Sequence, residues 1–467
     1  MALLLFALAF ISAMNAGFAQ TIDPNAGLSL DRVNALVKSV QLDAQTRTAM
    51  NAVTNNDIKS LALNREVLGS TDDIFSFKLE TKGITDQKSS GRCWMFAGSN
   101  LLRQDAAKKF SLDEFEFSES YLAFFDLLEK SNVFLEYIIA TRDRDIQDRE
   151  LVAHLDDPIG DGGYWGFMAN LVEKYGVVPK KVMEESHSSS KTGTMQRILA
   201  KLMRRDAMIL RSKANNGKSV ADLRKQKEKM LEDVTRVLVI NYGVPPTSFE
   251  WRTTDTSGVA SEPVTYTPQD FYHDVLNADL SNYVSIANYP IHPFAKNYSI
   301  SSMQSMADKP DVTLVNVDAA TMKDLAMKAL MDSNRVWFGC DVGQDSYSKK
   351  GLLVKGIYDY EELFGIDLRM TKSERLDYRD QTSNHAMVLV GVDVVDGKPR
   401  KWLVENSWGK DPGDNGMFTM SDEWFDEFVL NVIIPAAYLP EDLLKISKQK
   451  PIPLPIWDPV WQGFGAK

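Results

Sequence analysis

A cysteine opens a helix in the stretch Gln87-Lys88-Ser89-Ser90-Gly91-Arg92-Cys93-Trp94-Met95-Phe96. The pattern from Cys93 to Lys109 is helical and ends in two lysines, which suit the negative end of a helix dipole. We expect the N-cap near Ser90 or Gly91. The Cys93 thiol then lies among the unpaired N–H groups of the first turn, and these favour its thiolate. The stretch therefore predicts a nucleophile.

Gln87 precedes that cysteine by six residues, so a loop can bring its side-chain amide beside the thiol. The amide and the Cys93 N–H can then donate to the oxyanion of a tetrahedral intermediate. A lone cysteine is, however, more often a small buried residue than a nucleophile. The choice between these interpretations depends on which residues elsewhere in the chain accompany the thiol.

A histidine and an asparagine follow late in the chain, in Ser383-Asn384-His385-Ala386-Met387-Val388 and in Glu405-Asn406-Ser407-Trp408-Gly409. A His that opens one strand and an Asn that closes the next can meet at one sheet edge. His385 can then share a proton with Cys93 while the Asn406 amide oxygen holds its other ring nitrogen. Trp408 would cover that bond. For His154, His187, His273 and His292 we expect surface or capping positions.

The composition is that of a globular protein with a sizeable core. The chain has 467 residues, 44% of them hydrophobic and 25% charged, and a net charge of −11. The acidic balance argues against general nucleic-acid binding, which needs clustered cations. Two cysteines, Cys93 and Cys340, cannot form a disulfide framework, and we expect Cys340 to be a small buried residue.

Periodicity divides the chain into helices first and strands late, an α+β order. A helix is predicted from Ser29 to about Val40, residues 41–56 remain unassigned, and residues 114–150 are predicted as further helix. Buried strands are predicted at 336–340, 385–392 and 401–406. Residues 201–229 are strongly basic, which is compatible with polyanion binding or with a solvated helical surface.

The first residues resemble a secretory signal. An apolar run from Leu3 to Met14 is too short to span a bilayer and is followed by Ala16, Gly17 and Ala19. We predict a signal peptide at 1–19 and a mature protein exported to the periplasm or the medium, with no membrane attachment. No Lys or Arg precedes Arg32, so a buried N-terminal helix in a cytoplasmic protein is the alternative.

The three motifs, taken in order, resemble those of the papain-like cysteine peptidases, whose signature around the nucleophile is C-G-[SA]-C-[WY]. Ser90 replaces the disulfide-forming cysteine of that signature, and Arg92 replaces the small residue. About 290 residues separate Cys93 from His385, where the signature family has about 130–150. The excess matches residues 181–334, which we interpret as a helical insertion.

One branch, the bleomycin hydrolases or aminopeptidase C family, resembles the chain over nearly its whole mature length. The shared motifs include Ser-Gly-Arg-Cys-Trp at 90–94, Glu114-Phe115-Glu116-Phe117-Ser118, Asp161-Gly162-Gly163-Tyr164-Trp165, Val336-Trp337-Phe338-Gly339-Cys340 and Trp457-Asp458-Pro459. The resemblance implies a papain-like α+β fold with the helical insertion and an extended C-terminal arm. Its segments are 20–69 (N-terminal helices), 70–180 (helical half), 181–334 (insertion), 335–440 (β half) and 441–467 (arm).

The resemblance also implies the function of individual residues. Cys93, His385 and Asn406 would form the catalytic triad, Gln87 would be the oxyanion donor, and Gly162 and Gly163 would pair with the substrate backbone. Peptides are the expected substrates, no metal or cofactor is expected, and the expected assembly is a homohexamer.

The C-terminal arm bears on specificity. In this family the arm lies in the cleft and its terminal carboxylate meets the substrate α-amine, which makes the enzyme an aminopeptidase. Here that end is Ala466-Lys467, in a tail longer than is usual after Trp-Asp-Pro. Two alternatives stay open: a papain-like endopeptidase, if the longer arm leaves the cleft free, and a polyanion-binding hexameric ring.

Overall fold

The computed structural model describes residues 22–276, 278–301 and 303–461. The predicted signal peptide, 1–19, lies outside the described residues. The helices are α1 Leu30–Ser39, α2 Ala44–Asn55, α3 Ile58–Leu61, α4 Arg65–Ser70, α5 Cys93–Lys109, α6 Glu119–Ala140, α7 Arg149–Asp156, α8 Trp165–Tyr175, α9 Gly193–Asn215, α10 Val220–Tyr242, α11 Pro268–Val275, α12 Ala319–Met331, α13 Tyr360–Phe364, α14 Lys372–Asp377, α15 Asp422–Phe428 and α16 Glu441–Ser447.

The strands build one large mixed sheet and one separate hairpin. They are β1 Phe77–Lys78, β2 Phe249–Trp251, β3 Val264–Tyr266, β4 Tyr283–Ala287, β5 Lys296–Ile300, β6 Thr313–Asn316, β7 Val336–Cys340, β8 Ser346–Tyr347, β9 Leu352–Leu353, β10 His385–Val395, β11 Lys398–Glu405, β12 Met417–Ser421, β13 Val429–Pro435 and β14 Ile452–Leu454. The sheet order is β14-β5-β6-β4-β13-β7-β10-β11-β12-β9-β8, with β1 added to β10. Strands β2 and β3 form the hairpin.

Two compact units divide the chain. Among the described residues, the smaller one holds 22–62 together with Tyr360–Ile366, and the larger one holds the others. In the smaller unit α1 begins after Ser29, close to the predicted start of this helix, and the Ser29 side chain accepts from the Arg32 N–H. The unassigned stretch 41–56 forms α2, which Asp43 caps in the same way.

The larger unit contains a helical half and a sheet half that meet along α5. This helix runs from Cys93 to Lys109 as predicted, and it packs against β10 and β7. The indole of Trp337 on β7 donates to the backbone carbonyl of Trp94 at 3.1 Å, and both rings are fully buried. The strands predicted at 336–340 and 385–392 are β7 and β10, and the strand predicted at 401–406 is β11.

A buried ion pair crosses the same boundary. Arg103 of α5 lies 2.5 Å from the carboxylate of Glu405, and their side chains are 1% and 0% exposed. The guanidinium also donates to the carbonyl of Gly83 at 2.7 Å. Because Glu405 ends β11 and precedes Asn406, the pair fixes that end of the strand against the nucleophile helix.

Two predictions about the helices need correction. The N-cap of α5 is Arg92, not Ser90 or Gly91, and no side chain caps it. The helix predicted over 114–150 is interrupted, because α6 ends at Ala140 and Asp148 caps a new helix, α7.

The insertion at 181–334 is helical only in part. Helices α9 and α10 fit the prediction, but β4, β5 and β6 join the large sheet. Strand β4 pairs with β13 on one side and with β6 on the other. Its main partner lies more than a hundred residues away in sequence, so periodicity within 283–287 could not identify the strand.

No helix within residues 22–276, 278–301 and 303–461 is long and apolar enough to cross a bilayer.

The Arg103–Glu405 pair leads to a stability prediction. Arg103→Ala is expected to lower the free energy of unfolding by about 3–5 kcal/mol, because it leaves a buried carboxylate without its cation. Urea unfolding followed by tryptophan fluorescence measures the change. Lys445→Ala is the control, since it removes an exposed i,i+4 pair with Glu441 that is expected to contribute less than about 0.5 kcal/mol. Equal losses in the two variants would contradict the prediction.

Candidate active site

Cys93 is the first residue of α5 and is 6% exposed. Residues 87–92, here called the nucleophile loop, precede it. The loop is tied to the sheet, because the Gln87 N–H donates to the Ser407 carbonyl at 2.9 Å and Asp86 forms a β-bridge with Trp408. The residues that the sequence singled out far apart in the chain are therefore neighbours.

His385 and Asn406 meet at one edge of the sheet. His385 begins β10, Asn406 follows the end of β11, and His385 Nε2 lies 2.9 Å from Asn406 Oδ1. The Ser407 N–H donates to the same oxygen at 2.8 Å, which orients the amide with its oxygen toward the ring. Nε2 therefore carries the proton, and Nδ1 is left as the basic nitrogen.

Trp408 lies over this pair. Its ring centroid is 4.8 Å from that of His385, with the planes tilted by 31°, and His385 and Asn406 are 3% and 0% exposed. The predicted covering position of Trp408 is thus present in the structure. Water is kept from the His–Asn hydrogen bond.

The sulfur of Cys93 is close to the start of β10. The backbone N–H of Ala386, the residue after His385, hydrogen-bonds to it. Helix α5 and strand β10 thus bring the thiol and the imidazole to the same place. Cys340, also buried, is a free thiol and lies opposite His385 in the β7–β10 register.

Protonation of the resting site differs from the sequence prediction. Burial raises the pKa of the Cys93 thiol to about 11, although hydrogen bonds from the Ala386 and Trp94 N–H groups lower it. Burial also lowers the pKa of His385 to about 4, although the hydrogen bond to Asn406 raises it. The helix terminus favours the thiolate as expected, but desolvation outweighs it. Burial therefore disfavours the charged form of each group.

Gln87 has its amide fixed at both ends. Its Nε2 donates to the Ser90 carbonyl at 2.8 Å, and its Oε1 accepts from the Ser407 hydroxyl at 2.7 Å. The amide nitrogen consequently faces the nucleophile loop and keeps one N–H beyond the bond to Ser90. Sequence reasoning missed Ser407, which orients both Gln87 and Asn406.

Gly162 and Gly163, here called the glycine strip, lie beside the nucleophile helix. A Cβ on Gly163 would lie 2.6 Å from the Trp94 ring, so only glycine permits this approach. The Gly162 carbonyl accepts from Lys130 Nζ at 2.6 Å. The strip lines a cavity of about 660 Å³ that also contains Phe134, Phe167 and Ile456. The cavity therefore reaches the strip, although neither Cys93 nor His385 is among the residues that line it.

The described part of the arm is firmly held. Strand β14 pairs with β5, and His292 Nε2 lies 3.1 Å from both carboxylate oxygens of Asp458. His292 is thus an anchor for the arm rather than a capping residue, and no local signal could show this because its partner is 166 residues away. Ala466 and Lys467 lie outside the described residues.

The basic stretch 201–229 is largely engaged within the protein. Arg224 and Lys227 of α10 both pair with Glu136 of α6. Arg204 donates to the carbonyls of Leu155 and Asp156. These contacts hold α9 and α10 against α6 and α7 and favour the structural interpretation over polyanion binding.

The site and the sheet around it define the class of the papain-like cysteine peptidases. A family model described as the Peptidase C1-like family matches residues 27–461, and the chain belongs to that family. The resemblance noted in the sequence is thereby confirmed.

Similar proteins cover almost the whole chain. Aminopeptidase C of Lactobacillus helveticus is 40% identical over 88% of this chain and 93% of its own length. Bleomycin hydrolase of Mus musculus is 36% identical over 93% and 98%, respectively. The crystal structure of PepW from Lactobacillus rhamnosis HN001 superposes with a TM-score of 0.91 at 39% identity, covering 93% of this chain and 99% of that one.

The buried imidazole leads to a pH prediction. His385 must be neutral to accept the thiol proton, and its pKa is about 4. We expect kcat/KM for peptide hydrolysis to hold steady from pH 7 to about pH 5 and to fall as the pH drops through about 4. Initial rates at low substrate concentration measure this, with circular dichroism as a control for folding. An acid limb near 6.5, the ordinary pKa of histidine, would contradict it.

Proposed function

We propose that the protein is a cysteine aminopeptidase of the bleomycin hydrolase type, which removes N-terminal amino acids from peptides. The observation that carries this is the Asn406-held imidazole with its free Nδ1 at the strand end beside Cys93. A thiol needs such a base to become a nucleophile. The names of the relatives supply the aminopeptidase part of the proposal.

The reaction proceeds through an acyl-enzyme. His385 takes the thiol proton as the Cys93 sulfur attacks the carbonyl carbon of the first peptide bond, and the oxyanion is held by Gln87 and the Cys93 N–H. The tetrahedral intermediate collapses when His385 gives its proton to the leaving amine. Water, deprotonated by the same imidazole, then attacks the thioester and releases the amino acid and the thiol.

The C-terminal arm is proposed to limit access to the cleft. Ile456 lines the cavity that contains the glycine strip, and Asp458 anchors the chain two residues later. An arm held there favours substrates with a free N-terminus, because a longer chain has no room to continue. An endopeptidase is the second candidate if the residues after Pro459 leave the cleft open.

A substrate comparison distinguishes these two activities. Full-length enzyme should hydrolyse free aminoacyl substrates and turn over N-blocked ones poorly, while truncation after Pro459 should raise the rate on N-blocked substrates at least tenfold. Cys93→Ala should abolish both activities, and chelators should leave both unchanged. Equal cleavage of free and blocked peptides by the full-length enzyme would replace the aminopeptidase assignment with an endopeptidase.

We also propose that the protein assembles as a homohexamer. The apolar side chains of Leu30, Val33 and Val37 on α1 are exposed and recur at helical spacing, as expected of a surface that a partner covers. Light scattering on the purified enzyme measures the mass. A monomer at micromolar concentration would contradict the proposal.

We propose that the protein is exported, because residues 1–19 contain an apolar run followed by small residues, as a secretory signal does. Expression of the full-length chain followed by fractionation and N-terminal sequencing should show a mature protein that begins near Gln20. An uncleaved protein in the cytoplasmic fraction would favour the alternative.

A further inference from the structure

One carboxylate connects the two parts of the site that a peptide must touch. Asp161 directly precedes the glycine strip, and its Oδ2 accepts from the Gly91 N–H of the nucleophile loop at 2.8 Å. The same oxygen accepts from the Thr192 hydroxyl at 2.6 Å. The backbone carbonyl of Asp161 accepts from the Trp94 indole at 2.7 Å.

These contacts surround the nucleophile. Gly91 and Trp94 flank Cys93 within three residues in the chain, and Trp94 also packs on Gly163 at the far end of the strip. Hydrogen bonds to an ionised acceptor are about twice as strong as neutral ones. The strip and the loop are therefore joined at two points, one through the Asp161 side chain and one through its backbone.

The contact at Gly91 leaves no spare room. A Cβ on Gly91 would lie 2.3 Å from Asp161 Oδ1, so any larger residue there displaces the carboxylate. No covalent link supports this junction, since Cys93 and Cys340 are both free thiols. Ser90, where papain-like signatures have a cysteine, instead donates its hydroxyl to the Gln87 carbonyl.

We propose that Asp161 is a positioning residue that clamps the glycine strip to the nucleophile loop, so that a peptide paired with the strip presents its carbonyl to Cys93. The inference rests on the proposed function and assigns Asp161 no contact with the reacting atoms. Catalysis depends on this placement, because a misplacement of about 1 Å can cost about 10²-fold in rate.

The negative charge of Asp161 opposes formation of the Cys93 thiolate, whereas its hydrogen bonds help to place the substrate. Its negative charge is among the causes that raise the pKa of the Cys93 thiol, after burial. Asparagine keeps an acceptor oxygen for Gly91 and Thr192 but removes the charge, whereas alanine removes both. The two substitutions therefore separate positioning from electrostatics.

The first experiment compares Asp161→Ala and Asp161→Asn with wild type on free aminoacyl substrates, with rates divided by titrated active sites. Asp161→Ala should lose about 10²-fold in kcat/KM, mainly in kcat. Asp161→Asn should stay within about tenfold of wild type, and its Cys93 should be alkylated with a pH midpoint below that of wild type. Asp143→Asn, at an 81% exposed carboxylate, is the control and should match wild type.

Gly91→Ala tests the contact between Gly91 and the Asp161 carboxylate by changing the other partner. This variant also replaces Asp161→Ala as the test if Asp161→Ala fails to fold. It should lose activity as Asp161→Ala does, because its methyl group displaces the carboxylate. In the double variant Gly91→Ala/Asp161→Ala, the loss of kcat/KM should be smaller than the product of the two single losses. Removal of the Asp161 side chain relieves its clash with the added methyl group, so the two effects are not independent.

Three results would each overturn the clamp: full kcat/KM per active site in Asp161→Ala, equal losses in Asp161→Asn and Asp161→Ala, or losses that multiply in the double variant. The proposed function fails separately, when wild type shows no hydrolysis that depends on Cys93.

Discussion

The Arg103–Glu405 ion pair is the constraint on which the arrangement of the site depends. It lies fully buried between α5, which begins with Cys93, and the end of β11, which leads into Asn406. Burial of two charges is costly unless they stay together, so the helix and the strand cannot separate without a large penalty. The position of the thiol relative to the His–Asn pair is thereby set by a contact further along α5 rather than at its first turn.

Local sequence patterns predicted the helices and strands that are stabilised mainly by their own sequence. The apolar run after Cys93 and the lysines at its end gave α5 from its first to its last residue, and the buried apolar runs gave β7 and β10. Strand β4 escaped prediction because it is short and its main partner, β13, lies far away in sequence. Helix α2 escaped because few large apolar residues mark its sequence, although Asp43 caps it well.

The active site likewise has features that local sequence predicts and features that depend on contacts between distant residues. Cys93, His385, Asn406 and Trp408 come together as predicted from residue type and spacing, whereas the protonation state of the thiol could not be predicted, because it depends on how deeply the folded chain buries it. Ser407, His292 and Asp161 act through partners that are far away in sequence. No motif marks such residues, since each acquires its contact only in the folded chain.

The depth at which Cys93 is buried has a consequence for chemical durability. Peroxides and electrophiles attack thiolates, not thiols, and a sulfur whose pKa is about 11 is almost entirely protonated at neutral pH. In the proposed mechanism the sulfur becomes reactive only when His385 withdraws its proton during attack on a substrate. Burial of this kind is expected to slow the oxidation of Cys93 to sulfenic acid between catalytic cycles.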